Sequence, residues 1–97
     1  FEQMKKSAYY INMARGGVTN QDDLIKALNE GLIAGAAVDV TTPEPLPSDS
    51  PLWDAKNLII TPHHAGLCEY RLKRVYKLCA HNLECYLNNQ EMLHVVK

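Results

Sequence analysis

Hydrophobic and polar residues alternate in blocks along the chain, and the blocks predict strands separated by helices and loops. Residues 8–13 form a short apolar and aromatic run that is typical of a buried strand. The run is followed by Arg15-Gly16-Gly17, where we expect a turn with unusual backbone angles. Residues 32–40 are small and apolar almost throughout, which predicts a central parallel strand covered on both faces. Residues 58–61 predict a third buried strand that Pro62 ends.

Two further stretches have the periodicity of helices. Thr19 or Asn20 can cap a first helix, whose first turn carries Asp22 and Asp23 at the positive end of the helix dipole. Gly31 would end it. Its apolar face would consist of Leu24, Ile25, Ala27 and Leu28. A longer amphipathic helix is predicted for residues 69–87, with an apolar stripe formed by Leu72, Val75, Tyr76, Cys79, Leu83 and Tyr86.

The segment between the second and third strands is rich in proline. It runs from Thr41 to Pro51 and contains four prolines, which exclude a helix or a hydrogen-bonded strand. We therefore predict a stiff, ordered surface loop. Trp53 follows the loop, and we expect its indole to fill the core beneath it.

The order strand, helix, strand, irregular crossover, strand, helix indicates the α/β class. We predict an open parallel sheet of about three strands with a long C-terminal helix. A length of 97 residues suits one small domain or a piece of one. Three parallel strands leave at least one long apolar edge, which we expect another domain or a second copy in a homodimer to cover.

Composition removes several classes of function. Lys and Arg together number 10 against 11 for Asp and Glu, so charge gives no reason to expect a nucleic-acid or membrane-surface partner. No apolar run approaches the length of a membrane span. The three cysteines are odd in number and lack metal-site spacing, so we expect neither a disulfide framework nor a metal site. A reducing, cytoplasmic setting fits this composition best.

A charged or titratable residue follows each predicted strand. Arg15 follows the first strand, Asp39 and Glu44 lie at and after the end of the second, and His63 follows the third. In an open parallel sheet, ligands bind in the crevice beyond the carboxyl ends of the strands. An arginine fork binds a carboxylate through two parallel hydrogen bonds, and a histidine held by a carboxylate can donate a proton to a carbonyl. These residues therefore suit a small organic acid.

Each of these residues also has a plainer interpretation. An arginine beside glycines is usually a surface residue, and a glutamate between prolines is by default a solvated loop charge. Asp39 at a strand end could equally be a turn residue. Only the order and identity of the surrounding motifs favour the functional interpretation.

Ordered sequence blocks cover nearly the whole chain. They are Met4-Lys5, Ile11-Asn12-Met13-Ala14-Arg15-Gly16-Gly17, Leu24-Ile25-Lys26-Ala27-Leu28, Gly35-Ala36-Ala37-Val38-Asp39-Val40, Pro43-Glu44-Pro45-Leu46-Pro47, Pro51-Leu52, Asn57-Leu58-Ile59-Ile60-Thr61-Pro62-His63 and Ala65-Gly66. In this order they resemble the D-isomer-specific 2-hydroxyacid dehydrogenase family. The resemblance implies the second half of a Rossmann-type parallel sheet in an NAD(P)-dependent enzyme that interconverts a 2-oxo acid and a D-2-hydroxy acid.

The resemblance also implies a role for each site residue. Arg15 would bind the substrate carboxylate and carbonyl, His63 would be the catalytic acid and base, and Glu44 would hold and charge that histidine. Asp39 would contact the nicotinamide carboxamide. The full set of residues expected to contact NAD or NADP is Ala14, Arg15, Asp39, His63, Ala65 and Gly66.

Two parts of the family pattern are not found in the sequence. These are the Gly-x-Gly-x-x-Gly phosphate loop and the acidic residue that reads the adenosine ribose. We therefore expect residues 1–97 to be the C-terminal half of a dinucleotide-binding domain, a piece of a longer enzyme that is inactive alone.

Two shorter stretches bear on the branch of the family. Asn20-Gln21-Asp22-Asp23-Leu24 and Thr42-Pro43-Glu44-Pro45-Leu46-Pro47 look most like the glyoxylate/hydroxypyruvate reductase branch, with phosphoglycerate dehydrogenase second. The alternative from another class is a non-enzymatic, dinucleotide-sensing corepressor on the same fold. The joint presence of Arg15, Glu44 and His63 favours the enzyme.

Overall fold

Five regular elements follow the order that the hydrophobic pattern predicts. In the computed structural model, which describes residues 1–96, they are β1 (Tyr9–Asn12), α1 (Gln21–Asn29), β2 (Gly35–Val38), β3 (Leu58–Ile60) and α2 (Arg71–Leu87). Two short 3-10 helices, Gly16–Val18 and Pro51–Asp54, lie between them. The chain divides into two compact units, of which the first is Phe1–Ala65 and the second begins at Gly66.

The first unit is built on a three-stranded sheet in the order β1-β2-β3. Both strand pairs are parallel, with Ile11 beside Ala37 and Ala37 beside Ile59. The predicted open parallel sheet is therefore confirmed. β2 is the central strand, as its small apolar residues indicate, and Ala36 and Val38 are buried in it.

Helix α1 covers one face of this sheet. Asn20, one of the two predicted caps, accepts a hydrogen bond from the Asp23 N–H at 3.2 Å and so satisfies one of the free donors of the first turn. Gly31 follows the helix with a φ of 69°, which a glycine adopts at little cost. The core beneath the helix consists of Leu24, Ala27, Leu28, Ile33, Ala36, Val38 and Leu52.

The outer strands differ from the prediction that they are buried. Tyr10 and Ile60 pack against the core, but Tyr9 is 72% exposed and Ile59 64% exposed. Side chains alternate between the two faces of a strand, and α1 with the Pro51–Asp54 helix supplies a cover for one face only. A continuous apolar run shows that both faces of a strand can be buried. Whether both are buried depends on whether another element packs against each face.

Trp53 also differs from its predicted place. Its side chain is about half exposed, and its indole Nε1–H donates to the Pro47 carbonyl at 2.8 Å. The neighbouring Leu52, at 1% exposure, fills the core instead. The indole N–H needs an acceptor, which the proline-rich loop provides and an apolar core does not.

The second unit contains α2, which begins two residues after the predicted start and ends, as predicted, before Asn88. The Asn82 side chain binds both main-chain groups of Leu93, accepting from its N–H at 3.0 Å and donating to its carbonyl at 2.9 Å. The predicted apolar stripe of α2 is exposed, and the buried residue of the helix is Cys85. Among residues 1–96, neither helix has the length and apolar character that crossing a bilayer requires.

Candidate active site

The predicted site residues of the first unit gather at the carboxyl ends of its strands. Arg15 lies three residues after β1, Asp39 directly after β2, and His63 three residues after β3. Because β2 is central, Asp39 lies between the other two strand ends. Neighbouring strands are spaced about 4.8 Å apart, so the ends of β1 and β3 are roughly 10 Å apart.

His63 and Glu44 form a direct pair at this edge of the sheet. The distance between His63 Nδ1 and Glu44 Oε1 is 2.5 Å, and both side chains are partly exposed. A carboxylate only accepts hydrogen bonds, so Nδ1 carries the proton and donates it to Glu44. The pair orients the ring and leaves Nε2 available to a ligand.

The backbone of His63 is in the left-handed region, with a φ of 55°. This conformation costs a residue with a side chain about 1–3 kcal/mol and persists where the surroundings enforce it. The His63 N–H donates to the Asp39 carbonyl at 2.9 Å, which ties the turn to the end of β2. A strained backbone at a ligand-facing residue is typical of functional sites.

The carboxylate of Asp39 holds the rest of that turn. It is buried, and it accepts hydrogen bonds from the Thr61 hydroxyl at 2.5 Å, the His64 N–H at 2.9 Å and the Ala65 N–H at 2.8 Å. The Thr61 hydroxyl bond is the largest cause of a pKa below the ordinary value for this group. Burial opposes that shift, while the two N–H bonds and the charge of His63 add to it.

These contacts show that Asp39 stabilises the turn after β3, one of the two interpretations that its position in the sequence allowed. Its contact with the nicotinamide remains a prediction. Thr61, which carries no signal of its own in the sequence, joins the site through this carboxylate.

A cleft of about 510 Å³ opens beside the His63–Glu44 pair. Glu44 and His63 contribute polar groups to its lining, as do Asp39, Thr41 and Thr61, and Leu46, Trp53 and Ile60 contribute apolar ones. Small-molecule sites are commonly of this kind, mostly apolar with a few polar groups that fix orientation. The cleft brings together three of the predicted residues, Asp39, Glu44 and His63.

Arg15 and Ala14 are not part of this cleft lining. Arg15 is exposed beyond β1, and its guanidinium Nη1 donates to the Ala14 carbonyl at 2.7 Å. The guanidinium therefore folds back onto its own turn. Gly66, also expected to contact the cofactor, belongs to the second unit, and its role remains a prediction.

The turn after β1 depends on Gly16, although not through unusual backbone angles as predicted. Gly31 is the glycine with a positive φ in residues 1–96, whereas Gly16 is buried against the segment after β2. A Cβ added to Gly16 would lie 2.0 Å from the Thr41 carbonyl oxygen. The glycine thus permits a close approach of two backbones. Both a close approach and a positive φ select glycine, so the sequence alone does not show which of the two applies here.

Gln21 anchors the same segment from the first residue of α1. Its side chain donates to the Thr42 carbonyl at 2.5 Å and accepts from the Thr42 N–H at 2.8 Å. These two bonds join residues 21 positions apart and fix the start of the loop that carries Glu44. Nothing in the local sequence marks a glutamine at a helix start for this role.

Together the fold and the site define a class of protein, an α/β domain of the dinucleotide-binding type with its chemistry at the carboxyl ends of a parallel sheet. The family model described as "D-isomer specific 2-hydroxyacid dehydrogenase, NAD binding domain" matches residues 1–65. The chain belongs to this family.

Several curated and solved proteins are similar to the chain over most of its length. It is 45% identical over 92 residues to a glyoxylate reductase/hydroxypyruvate reductase of Homo sapiens, a match that covers 95% of the chain and 28% of that relative. It is 46% identical over 88 residues to a glyoxylate reductase of Thermofilum pendens, covering 91% and 26%.

A solved structure gives the corresponding structural match. The D-isomer specific 2-hydroxyacid dehydrogenase of Xanthobacter autotrophicus Py2, in complex with NADPH and MES, superposes with a TM-score of 0.79 at 35% identity. The match covers 97% of this chain and 38% of that one. The chain thus spans between about a quarter and two fifths of the length of these three proteins.

Proposed function

We propose that the chain carries one side of the active site of an NAD- or NADP-dependent oxidoreductase that interconverts a 2-oxo acid and a D-2-hydroxy acid. Glyoxylate and hydroxypyruvate are the proposed substrates, because a relative 45% identical is named a glyoxylate reductase/hydroxypyruvate reductase and one 46% identical a glyoxylate reductase. The observation that carries the proposal is the His63–Glu44 pair at the carboxyl edge of the sheet, 2.5 Å between its atoms.

The residues present suit the nicotinamide end of a dinucleotide. Oδ2 of Asp39 accepts one hydrogen bond, from the Ala65 N–H, and so retains a lone pair for an amide donor. Small residues, Ala14 and Ala65, flank the site at the ends of the outer strands. We propose that these residues with Arg15 and His63 hold the nicotinamide, which when bound supplies the hydride.

The proposed chemistry of the chain's own residues is proton transfer and charge stabilisation. The Arg15 guanidinium binds the substrate carboxylate through two parallel hydrogen bonds and so sets the position of the adjacent carbonyl. His63, protonated on both nitrogens, donates the Nε2 proton to the carbonyl oxygen as negative charge develops there. Glu44 stabilises the charged ring before the transfer and keeps it oriented.

The histidine is neutral after this transfer and has to regain a proton before the next reduction. His63 is 46% exposed, so water can supply that proton directly. In the reverse reaction, neutral Nε2 accepts the hydroxyl proton of the 2-hydroxy acid. One residue therefore serves as acid in one direction and base in the other.

The proposed function is tested by assaying the full-length protein with NADH or NADPH and each of the two acids. We expect loss of absorbance at the nicotinamide band that depends on the added acid, and a D-configured product from hydroxypyruvate on chiral chromatography. An L-configured product, or no turnover with either acid and either cofactor, would contradict the proposal.

Replacing Arg15 with alanine is expected to act mainly on substrate binding. Loss of a charge-assisted, two-bond contact to a carboxylate should raise the KM for the 2-oxo acid by roughly 10- to 100-fold, with a smaller fall in kcat. Steady-state kinetics of the variant and of Arg15→Lys provide the comparison. Lysine keeps the charge but not the planar fork, so its KM should lie between those of the wild type and the alanine variant. An unchanged KM in Arg15→Ala would remove Arg15 from the site.

A further inference from the structure

The turn that presents Arg15 is held from inside by the side chain of Asn12, the last residue of β1. Asn12 is 4% exposed, and its amide makes three hydrogen bonds. Its Nδ2 donates to the Arg15 carbonyl at 2.9 Å and to the Thr19 hydroxyl at 2.8 Å, and its Oδ1 accepts from the Ala14 N–H at 3.0 Å. All the bonds of this amide therefore lie within the turn between β1 and α1.

The main chain of Asn12 joins the same turn to the centre of the sheet. Its carbonyl accepts from the Asp39 N–H at 2.9 Å. The Thr19 hydroxyl that Asn12 binds also makes a 2.7 Å hydrogen bond to the Tyr10 hydroxyl. Through these contacts Asn12 links the position of Arg15 to the residue that holds the turn of His63.

We infer that Asn12 is a positioning residue for Arg15, an inference that rests on the proposed function. Asn12 binds a main-chain group on each side of the Arg15 Cα, namely the N–H of Ala14 and the carbonyl of Arg15 itself. With both groups bound to one buried amide, the backbone at Arg15, and so the direction of its Cα–Cβ bond, is fixed relative to the sheet.

The chemistry of the contacts selects an amide at this position. An amide side chain donates twice and accepts at the same time, whereas a carboxylate has no donor for the Arg15 carbonyl and an aliphatic side chain satisfies none of the three groups. A buried group that loses its partner keeps its desolvation cost, so a substitution here shifts the turn rather than leaving it in place.

The test is the kinetics of Asn12→Ala in the full-length protein. We expect the KM for the 2-oxo acid to rise about tenfold while kcat changes less than threefold, because binding depends on the fork of Arg15 and proton transfer depends on His63. The pH dependence of kcat should match that of the wild type, because the His63–Glu44 pair is not altered.

Tyr10→Phe is the matched control. It removes the hydroxyl bond to Thr19 and leaves the three bonds of Asn12 in place. It should lower the melting temperature but leave the KM within twofold of the wild type. A KM rise as large as that of Asn12→Ala would show that general loosening of the turn, rather than the placement of Arg15, sets the KM.

A double mutant separates positioning from stability. If Asn12 acts through Arg15, adding Asn12→Ala to Arg15→Ala should raise the KM no further, whereas independent effects would multiply.

Should Asn12→Ala fail to fold, Asn12→Ser keeps one hydroxyl within the turn, and its KM should lie between that of the wild type and ten times that value. A wild-type KM in a folded Asn12 variant, or full multiplication in the double mutant, would overturn the inference. A wild-type protein without 2-oxo acid turnover would instead contradict the proposed function.

Discussion

Replacing His63 with glutamine is expected to lower kcat for reduction of the 2-oxo acid by on the order of 10²–10⁴-fold. Glutamine is similar in length and can still donate to the Glu44 carboxylate, so the contact between the two loops is kept. It has no group that exchanges a proton near neutral pH, so the carbonyl oxygen would receive its proton only from water. Steady-state kinetics at saturating cofactor measure the loss, and the KM should change far less than kcat.

His64→Gln supplies the control for this prediction. His64 follows His63 directly, and its main-chain N–H, which the substitution retains, binds Asp39 at 2.9 Å. The His63 ring is paired with Glu44, so the adjacent ring should be dispensable and kcat should stay within a few-fold of the wild type. Equal losses in the two variants, or a wild-type kcat in His63→Gln, would contradict the assignment of the acid.

The order of the elements could be predicted from the sequence because its signals are local. Asn20 with Asp22 and Asp23 marks the start of α1, and the small apolar residues around Ala36 and Val38 mark the central strand of the sheet. The parallel arrangement followed from the connections, since strands that alternate with long crossovers pair in parallel.

The burial of the outer strands could not be predicted in the same way. Tyr9, Ile11 and Ile59 belong to apolar runs, yet each is more than 60% exposed. A run of apolar residues indicates which side chains of a strand can be buried. Their exposure depends on which element packs against each face of the sheet. In the first unit, the cover that α1 provides lies on the other face.

The contact between His63 and Glu44 could be predicted from the sequence, but the contacts of Asp39 could not. His63 and Glu44 were identifiable as a pair because both follow strands whose carboxyl ends share an edge. The bonds from Asp39 to Thr61, His64 and Ala65 span 22 to 26 positions in the sequence. They depend on the register of β2 against β3 and on the left-handed backbone of His63, neither of which has a sequence signal.

Introducing a methyl group at Gly16 is expected to destabilise the protein more than a methyl group anywhere else in this turn. The added Cβ would lie 2.0 Å from the Thr41 carbonyl oxygen and 2.2 Å from its carbonyl carbon. Both are main-chain atoms, and the adjacent Thr42 is held by two hydrogen bonds to Gln21, so neither backbone can give way cheaply. We expect Gly16→Ala to lower the free energy of unfolding by about 3 kcal/mol, the upper end of ordinary overpacking costs, as measured by urea denaturation.

Gly17→Ala is the control, because it adds the same methyl group one residue later, where no atom lies within 4 Å of the added Cβ. The φ of Gly17 is not positive, so alanine fits without strain and should change the free energy of unfolding by less than about 1 kcal/mol. Equal stabilities of the two variants would contradict the close approach at Gly16. A selective loss in Gly16→Ala would show that the glycine is required by contact rather than by backbone angle. Because Gly16 adjoins Arg15, that contact holds the backbone next to Arg15 against the segment that follows Asp39.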